Sequence, residues 1–434
     1  MSKPSFYISS PFNTYSGYGA RARDIIKSIV ELDKYDVKLL SQRWGDCTSG
    51  FCNDHPEFDF LNKLSVPGIP KGVQADIWMQ ITIPSEFQPI GKYNIGCTAG
   101  IESTGCDGSW VEGLNKMNMN WVSSQHSKSV FENVTFDKRD NNTKQVIGQI
   151  KSTKPIHVVF EGADLDVYKY LPPNEVKLDL SEIKESFCYL FVGMWMAGDM
   201  GHDRKNIGQT ISIFLETFKN KKNPPALILK TSEGVENYIS TDNILGKIKA
   251  IRNKIKNANS LPNVYLLNGD FNNSEINELY NHPKVKAMVS FTKGEGFGRP
   301  LLEFGLSKKP IIASNWSGQL DFLNPDYTVL IPGKLEPVHK SAANKFLLPQ
   351  TSWFAPDVHQ INRVFKNSFE KYKTLIVKAK QQGHYVKTNF SYSHMKELVG
   401  NILDKNIPEF AKEMNLTMPT DIKFNTDVQL PKIK

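Results

Sequence analysis

The run of residues 285–314 constrains the fold more than any other part of the chain. An apolar, strand-like stretch (VKAMVSF, 285–291) precedes a glycine-rich turn, an apolar helical stretch and a second strand-like stretch, PIIAS at 310–314. This order predicts strand, turn, helix and strand, the unit from which parallel sheets are built. Such a turn presents backbone N–H groups at the carboxyl end of a strand, where an anion is stabilised. We expect two glutamates, Glu295 in the turn and Glu303 in the helix, to face one cleft.

The stretch 293–303, KGEGFGRPLLE, resembles the E-G-F-G-x-P-x-x-E signature of retaining glycosyltransferases of family 4, which includes glycogen-synthase-like and sucrose-synthase-like enzymes. The PIIAS strand and the loop bearing Gly318 resemble the same family. A glycine-rich turn alone would also fit an ordinary βαβ unit, but here the flanking strands match as well. The resemblance implies an α/β protein of GT-B fold, in which two doubly wound Rossmann-like domains face each other across a cleft.

Length and composition agree with a globular protein of this size. The 434 residues suffice for two or three domains, and 40% hydrophobic and 23% charged residues are ordinary fractions. No apolar run approaches the roughly 18 residues of a membrane span, and the N-terminus lacks a signal pattern, so we expect a cytoplasmic protein. Five cysteines without CxxC spacing predict reduced thiols rather than a zinc site.

Residues 5–40 predict a second unit of the same kind, with a strand at 5–10, a glycine-bearing loop, a helix from 20 to about 32 and a strand at 35–40. Gly17 and Gly19 in the loop would let a ligand approach the backbone. In the resembled family this loop faces the transferred sugar, so both glycines are donor-binding candidates. Tyr18 and Arg21 are acceptor-binding candidates beside them.

After the strand predicted at 93–98, many members of the resembled family carry a histidine in the catalytic cleft. The polar residue here is Glu102, which becomes the catalytic candidate at this position. His126, after the strand predicted at 119–123, is the nearest histidine and an acceptor-binding candidate. A surface or capping role for His126 is an equal alternative.

The segment 156–168, IHVVFEGADLDVY, resembles the family's V-I-P-N-G-V-D segment that ends the first domain. A proline-bearing polar linker follows. We therefore expect an N-terminal acceptor-side domain at 1–175, a C-terminal nucleotide-sugar-binding domain at 176–390, and helices that cross back to the first domain, with a tail, at 391–434. Residues 326–353 are predicted to form an inserted loop. The basic stretch 247–256 is predicted to be an outer helix with solvated lysines rather than a nucleic-acid site.

The family stabilises the leaving diphosphate with an arginine and a lysine that follow the first strand of the second domain. In this chain Met194 occupies the position of the usual arginine. The candidates for the two cations are Arg204 and Lys205, at the start of the next predicted helix. Cations at a helix N-terminus are unfavourable unless an anion binds there.

The remaining assignments follow the resemblance position by position. Glu303 would bind the ribose hydroxyls, and Glu295 would contact the transferred sugar. Neither glutamate stands as an obvious nucleophile, and no metal constellation is apparent, so the resemblance implies a metal-independent retaining hexosyl- or pentosyltransferase. It needs no cofactor beyond its co-substrate, a nucleotide sugar, with a UDP-sugar favoured. The other donor-binding candidates are Lys230, Asp270, Phe271, Gly296, Phe297 and Gly298.

The acceptor is left open. The segments 12–19 and 352–357 look like those of glycosyltransferases of tailed bacteriophages, which implies 5-hydroxymethylcytosine in double-stranded phage DNA as the acceptor and the host cytoplasm as the location. The net charge of +8 is compatible with DNA but proves nothing. A saccharide or lipid-linked glycan is the alternative acceptor. A non-catalytic binding module of the same fold is a rival, and a Rossmann oxidoreductase is a weaker one because neither opening loop reads G-x-G-x-x-G.

Overall fold

A computed structural model describes residues 3–140, 142–234 and 237–410. Within these ranges the chain forms two six-stranded, fully parallel sheets with helices on both faces of each. The first sheet has the order β2-β1-β3-β4-β5-β8 and the second β11-β10-β9-β12-β13-β14. The predicted pair of doubly wound α/β halves is therefore confirmed.

The strands of the first half lie close to their predicted positions. They are β1 (Ser5–Ser10), β2 (Asp36–Ser41), β3 (Ile77–Ile81), β4 (Tyr93–Cys97), β5 (Met119–Val122), an antiparallel hairpin of β6 (Thr135–Arg139) and β7 (Val146–Lys151), and β8 (Ile156–Val158). The helices are α1 (Gly17–Glu31), α2 (Phe51–Asp54), α3 (Asp59–Leu64), α4 (Gly108–Lys116) and α5 (Gln125–Asn133). The hairpin was not predicted.

The second half repeats the pattern. Its strands are β9 (Cys188–Val192), β10 (Ala226–Lys230), β11 (Val264–Leu267), β12 (Val285–Ser290), β13 (Ile311–Ser314) and β14 (Val329–Ile331), followed by the antiparallel pair β15 (Gly333–Pro337) and β16 (Ser352–Pro356). The helices are α6 (Ile207–Phe218), α7 (Tyr238–Lys254), α8 (Asn273–Asn281), α9 (Arg299–Gly305), α10 (Val358–Glu370), α11 (Tyr372–Asn389) and α12 (Tyr392–Asn406). The predicted loop at 326–353 thus contains β14, β15 and the start of β16.

Alternating side chains along the strands fill a core on each face of each sheet. In β9, Tyr189 and Phe191 pack with α6, α7 and α10, whereas Leu190 packs on the opposite face with α8, α9 and α11. Both faces are buried, as expected for parallel strands. The basic stretch follows its prediction, because Ile244, Ile248 and Ile251 of α7 are buried.

The last helix of the described chain belongs spatially to the first half. Apolar side chains of α12, among them Met395 and Val399, join the core formed by β1 and α1. Lys396 pairs with Glu31 of α1 at 2.9 Å. The boundary near residue 175 stays a prediction and falls between β8 and β9. The predicted tail beyond residue 410 lies outside the described residues.

Candidate active site

A buried ion-pair cluster lies at the carboxyl edge of the second sheet. Lys205 Nζ is 2.6 Å from Glu295 Oε1, and Arg204 Nη1 is 3.3 Å from Glu295 Oε2. β9 and β12 are neighbours in the sheet, so the loops that follow them converge at this edge. The structure therefore brings together three of the residues that the sequence singled out as catalytic candidates.

Hydrogen bonds that each involve at least one backbone atom join these two loops to each other and to the loop that contains Ser317. Lys293 N donates to Arg204 O at 2.8 Å, and Arg204 Nη1 donates to Gly294 O at 2.7 Å. Glu295 N donates to Ser317 Oγ at 2.9 Å. Because main-chain atoms join the loops, the charged groups keep their geometry without a ligand, which is the preorganisation that electrostatic catalysis requires.

The pKa shifts of the cluster favour an ionised Glu295 and an ionised Arg204, whereas burial lowers the pKa of Lys205 despite the opposing charge of Glu295. Burial by itself raises the pKa of Glu295, but the charges of Lys205 and Arg204 outweigh it and hold the pKa below its ordinary value. Burial lowers the pKa of Arg204, and the carboxylates of Glu102 and Glu295 more than compensate, so its pKa lies above the ordinary value. The side chains of Glu295 and Arg204 are only 9% and 11% exposed, so solvent screens these charges little.

The first half of the chain reaches this cluster through Glu102, whose Oε1 is 3.8 Å from Arg204 Nη2. Two signature glycines make the approach possible. A Cβ at Gly294 would lie 1.9 Å from Glu102 O, and one at Gly296 would lie 2.7 Å from Ala99 O. These glycines are therefore required by the contact between the two halves, in addition to any role in ligand binding.

The turn before α9 offers free hydrogen-bond donors. Among the residues that the structure describes, the backbone N–H groups of Gly296, Phe297 and Gly298 donate to no protein acceptor. Gly298 has φ of 100°, a left-handed conformation that glycine adopts without strain. Successive free amides in such a turn form a concavity suited to an anion.

Glu303 lies in a second buried network. Arg299 Nε donates to Glu303 Oε1 at 2.9 Å, and Tyr280 OH donates to Glu303 Oε2 at 3.3 Å. Arg299 Nη1 extends to the first half, 2.6 Å from Asp24 Oδ2 and 3.9 Å from Glu161 Oε2. Burial raises the pKa of Glu303, although Arg299 opposes the shift. One guanidinium thus links Glu303 to two carboxylates of the other half.

Sequence reasoning missed Arg299. Its signal was present, because an arginine four residues before a glutamate in a helix places the two side chains next to each other. Its partner Asp24 carried no such signal, because that contact exists only when the two sheets face each other.

The structure places the two opening glycines in a helix rather than a loop. Gly17 and Gly19 form the first turn of α1, and Ser16 caps the helix by accepting from Gly19 N at 2.9 Å. The prediction that the helix begins at residue 20 is therefore wrong by one turn. A serine N-cap before the glycines was the signal for the earlier start.

The acceptor-binding candidates are not gathered at one surface. Tyr18 is half-buried and burial raises its pKa to about 12. Arg21 is only 1% exposed and its Nη2 donates to Val159 O at 2.9 Å, so it faces the protein interior. His126 is the second residue of α5, its ring lies edge-on to Trp316 of the second half, and burial lowers its pKa.

Three donor-binding candidates lie together at the carboxyl ends of β10 and β11. Lys230 Nζ donates to Gly269 O at 2.7 Å and lies 5.1 Å from the ring centre of Phe271. Asp270 is exposed in the same turn. They occupy the same edge of the second sheet as the ion-pair cluster, as parallel strands require.

Within the described ranges, no group of three or more His, Cys, Asp and Glu side chains could hold a metal ion. No helix of these ranges has the length and apolarity to cross a bilayer. The five cysteines are free thiols.

Comparison with known proteins gives structural matches only. No family model and no curated protein matches the sequence. A glycosyltransferase from Rickettsia africae ESF-5 aligns with a TM-score of 0.62 at 15% identity, covering 94% of this chain and 100% of that one. Sucrose-phosphate synthase from Thermosynechococcus elongatus aligns with 0.60 at 10% identity, covering 93% and 99%. Anabaena HepE in complex with UDP-glucose aligns with 0.59 at 13% identity, covering 92% and 99%.

The TM-scores and the coverage of these superpositions establish the fold alone, since the sequence identities are low. The chain has the GT-B fold over nearly its whole length, as the resemblance of the 293–303 signature implied.

Proposed function

We propose that the protein is a glycosyltransferase that moves a sugar from a nucleoside-diphosphate sugar, with a UDP-sugar favoured, to an acceptor hydroxyl. The observation that carries this proposal is the Lys205–Glu295–Arg204 cluster at the carboxyl edge of the second sheet. Ligands of open α/β sheets bind at this edge. The fold supports the proposal, since one protein that shares it was solved with UDP-glucose.

The cluster suits the chemistry of a departing diphosphate. Transfer breaks the bond between the anomeric carbon and a diphosphate oxygen, and the electron pair stays on that oxygen. Lys205 Nζ and the Arg204 guanidinium would stabilise the added negative charge, with the three free amides of the 296–298 turn beside them. The acceptor oxygen forms the new bond to the anomeric carbon, and its proton passes to the departing diphosphate.

Retention of configuration is part of the proposal. Glu295 is held by two cations, so it is an orienting group rather than a free nucleophile for a double displacement. Attack from the face that the diphosphate leaves needs no protein nucleophile. Because two protein cations would stabilise the charge that develops, we expect turnover to persist in EDTA.

The nucleotide would bind mainly to the second half. Glu303 can accept hydrogen bonds from both ribose hydroxyls, in line with the resemblance. Arg299, which now donates to Glu303, would then interact mainly with Asp24, whose Oδ2 it already contacts at 2.6 Å.

For the acceptor we propose 5-hydroxymethylcytosine in DNA, with a saccharide or lipid-linked glycan as the alternative. The net charge of +8 is compatible with a polyanionic acceptor. The DNA contacts cannot be Arg21 and Arg23, because these side chains are 1% and 6% exposed and bound to backbone carbonyls. Exposed lysines of the first half would have to supply them.

A panel of UDP-sugars tests the proposal, each incubated with hydroxymethylated duplex, unmodified duplex or simple saccharides. We expect sugar transfer to the modified duplex only, with the donor's anomeric configuration retained in the product by NMR and no loss of rate in EDTA. Transfer to a saccharide alone would establish the glycan alternative. No donor cleavage under any condition would indicate a binding module and overturn the enzymatic proposal.

A further inference from the structure

A basic groove lies on the second half of the protein, away from the ion-pair cluster. One wall is a stripe along α11, and the other is the turn after α9 together with Tyr170. The cavity has a volume of about 710 Å³. We define the basic groove by six of its lining residues, Tyr170, Lys308, Tyr372, Lys380, His384 and Lys387.

The groove is remote from the site of transfer. Lys308 follows the C-terminal end of α9, whereas Glu295 precedes the N-terminal end of the same helix. The next strand, β13, begins at Ile311, so the turn lies at the amino edge of the second sheet. The cluster occupies the carboxyl edge, and a ligand in the groove would therefore not occupy the donor position.

The charge of the groove is uncompensated. α11 carries four lysines and a histidine and contains no aspartate or glutamate. No acidic residue is among the described residues that line the groove, and in the described chain Lys308, Lys380 and Lys387 form no ion pair. The other basic helix differs, because Lys247 of α7 pairs with Glu233 at 2.5 Å. Like charges in one groove repel each other, so a bound anion would be stabilised there.

The groove also has aromatic walls. Tyr170 is 49% exposed, and Lys308 Nζ lies 5.1 Å from the centre of its ring. Tyr372 lies at the other end of the stripe on α11. A positive groove that tracks a phosphate backbone, beside rings on which bases stack, is the arrangement that binds single-stranded nucleic acid.

The shape favours a strand over smaller or larger anions. From Tyr372 to Lys387 the stripe runs fifteen residues along α11, about 22 Å at 1.5 Å per residue. A single phosphate would fill a small part of that length, and a flexible single strand can follow the curved stripe more closely than a stiff duplex. We propose that the basic groove binds a single strand of nucleic acid through its phosphates, independently of the acceptor used in sugar transfer.

The test compares two double variants that remove the same charge. Lys380→Glu with Lys387→Glu alters the groove, and Lys249→Glu with Lys254→Glu alters exposed lysines of α7. Binding of a fluorescent 20-nucleotide single strand to the full-length protein is measured by anisotropy across a salt series. The groove variant should bind at least tenfold more weakly, with a salt slope smaller by about 1.4, because each lost phosphate contact removes about 0.7. The α7 variant should stay within twofold of wild type, and donor hydrolysis should be unchanged in both.

Three results would overturn the inference. Equal losses in the two variants would show that only net charge matters. Duplex binding as tight as single-strand binding, with the same dependence on Lys380 and Lys387, would contradict the single-strand assignment. Groove-dependent binding to vesicles that contain an anionic lipid, without groove-dependent binding to the oligonucleotide, would assign the surface to a membrane instead.

Discussion

Replacing Lys205 with methionine removes one charge of the buried cluster while keeping most of the side-chain volume. Lys205 Nζ lies 2.6 Å from Glu295 Oε1, and the two side chains are 14% and 9% exposed. Removing one partner of a buried ion pair costs about 3–5 kcal/mol. Arg204 still lies 3.3 Å from Glu295, so we expect a loss near the lower limit, about 3 kcal/mol, in the free energy of unfolding. Turnover should fall by about 100-fold or more, the effect of losing one fixed donor to a developing oxyanion.

A double-mutant cycle with Glu295→Gln separates the structural role of Lys205 from its catalytic one. Urea unfolding should give a coupling free energy of about 1–3 kcal/mol between the two substitutions. The reason is that Glu295→Gln removes the carboxylate that loses one of its two cations in Lys205→Met. Turnover of the nucleotide sugar should stay low in the double variant, since the diphosphate still lacks its cation. Additive stability losses would refute the ion-pair reasoning. Near-normal turnover of folded Lys205→Met would show that the leaving group is stabilised elsewhere.

Three further predictions concern other residues of the two networks. Glu303→Gln should weaken UDP binding by about 1.5–3 kcal/mol in calorimetry, the contribution of a hydrogen bond to a charged group, and unchanged affinity would remove Glu303 from the donor site. Burial raises the pKa of Glu161 above 4.5, so folded protein holds this proton more tightly than unfolded protein. The difference in unfolding free energy, wild type minus Glu161→Gln, should therefore fall as the pH rises from about 4.5 through the pKa of Glu161 in the folded protein. A rise of this difference with pH would contradict the assignment. Gly294→Ala should reduce turnover, because its Cβ would lie 1.9 Å from Glu102 O, whereas Gly246→Ala, with no atom within 4 Å, should stabilise α7 by about 0.5–1 kcal/mol.

The strands and the signature unit could be predicted because their information is local. β1 coincides with its predicted range, and β12, α9 and β13 follow the order predicted from residues 285–314. Alternation of apolar residues, glycine turns and helical spacing all act within one element. The contact of Glu295 with Arg204 and Lys205 could be predicted only through the family resemblance, because it depends on β9 lying next to β12 in the sheet.

The prediction of Arg21 as an acceptor-binding residue overlooked its helical position. Arg21 is four residues before Ile25 and eight before Ile29, so all three lie on one face of α1. Both isoleucines are fully buried, and Arg21 is buried with them. The periodicity that identified the helix therefore also indicated the interior face, and charge alone was a poor guide to exposure.

Arg299 gives a physical reason why donor binding and closure of the two halves should be coupled. Its Nε holds Glu303, the proposed ribose ligand, and its Nη1 holds Asp24 of the first half. The guanidinium therefore contacts the carboxylates of Asp24 and Glu303, and it lies 3.9 Å from a third carboxylate, that of Glu161. A ribose whose hydroxyls donate hydrogen bonds to Glu303 would release part of the guanidinium to Asp24 and Glu161. Nucleotide binding would then strengthen the contact between the halves, in which Glu102 lies 3.8 Å from Arg204.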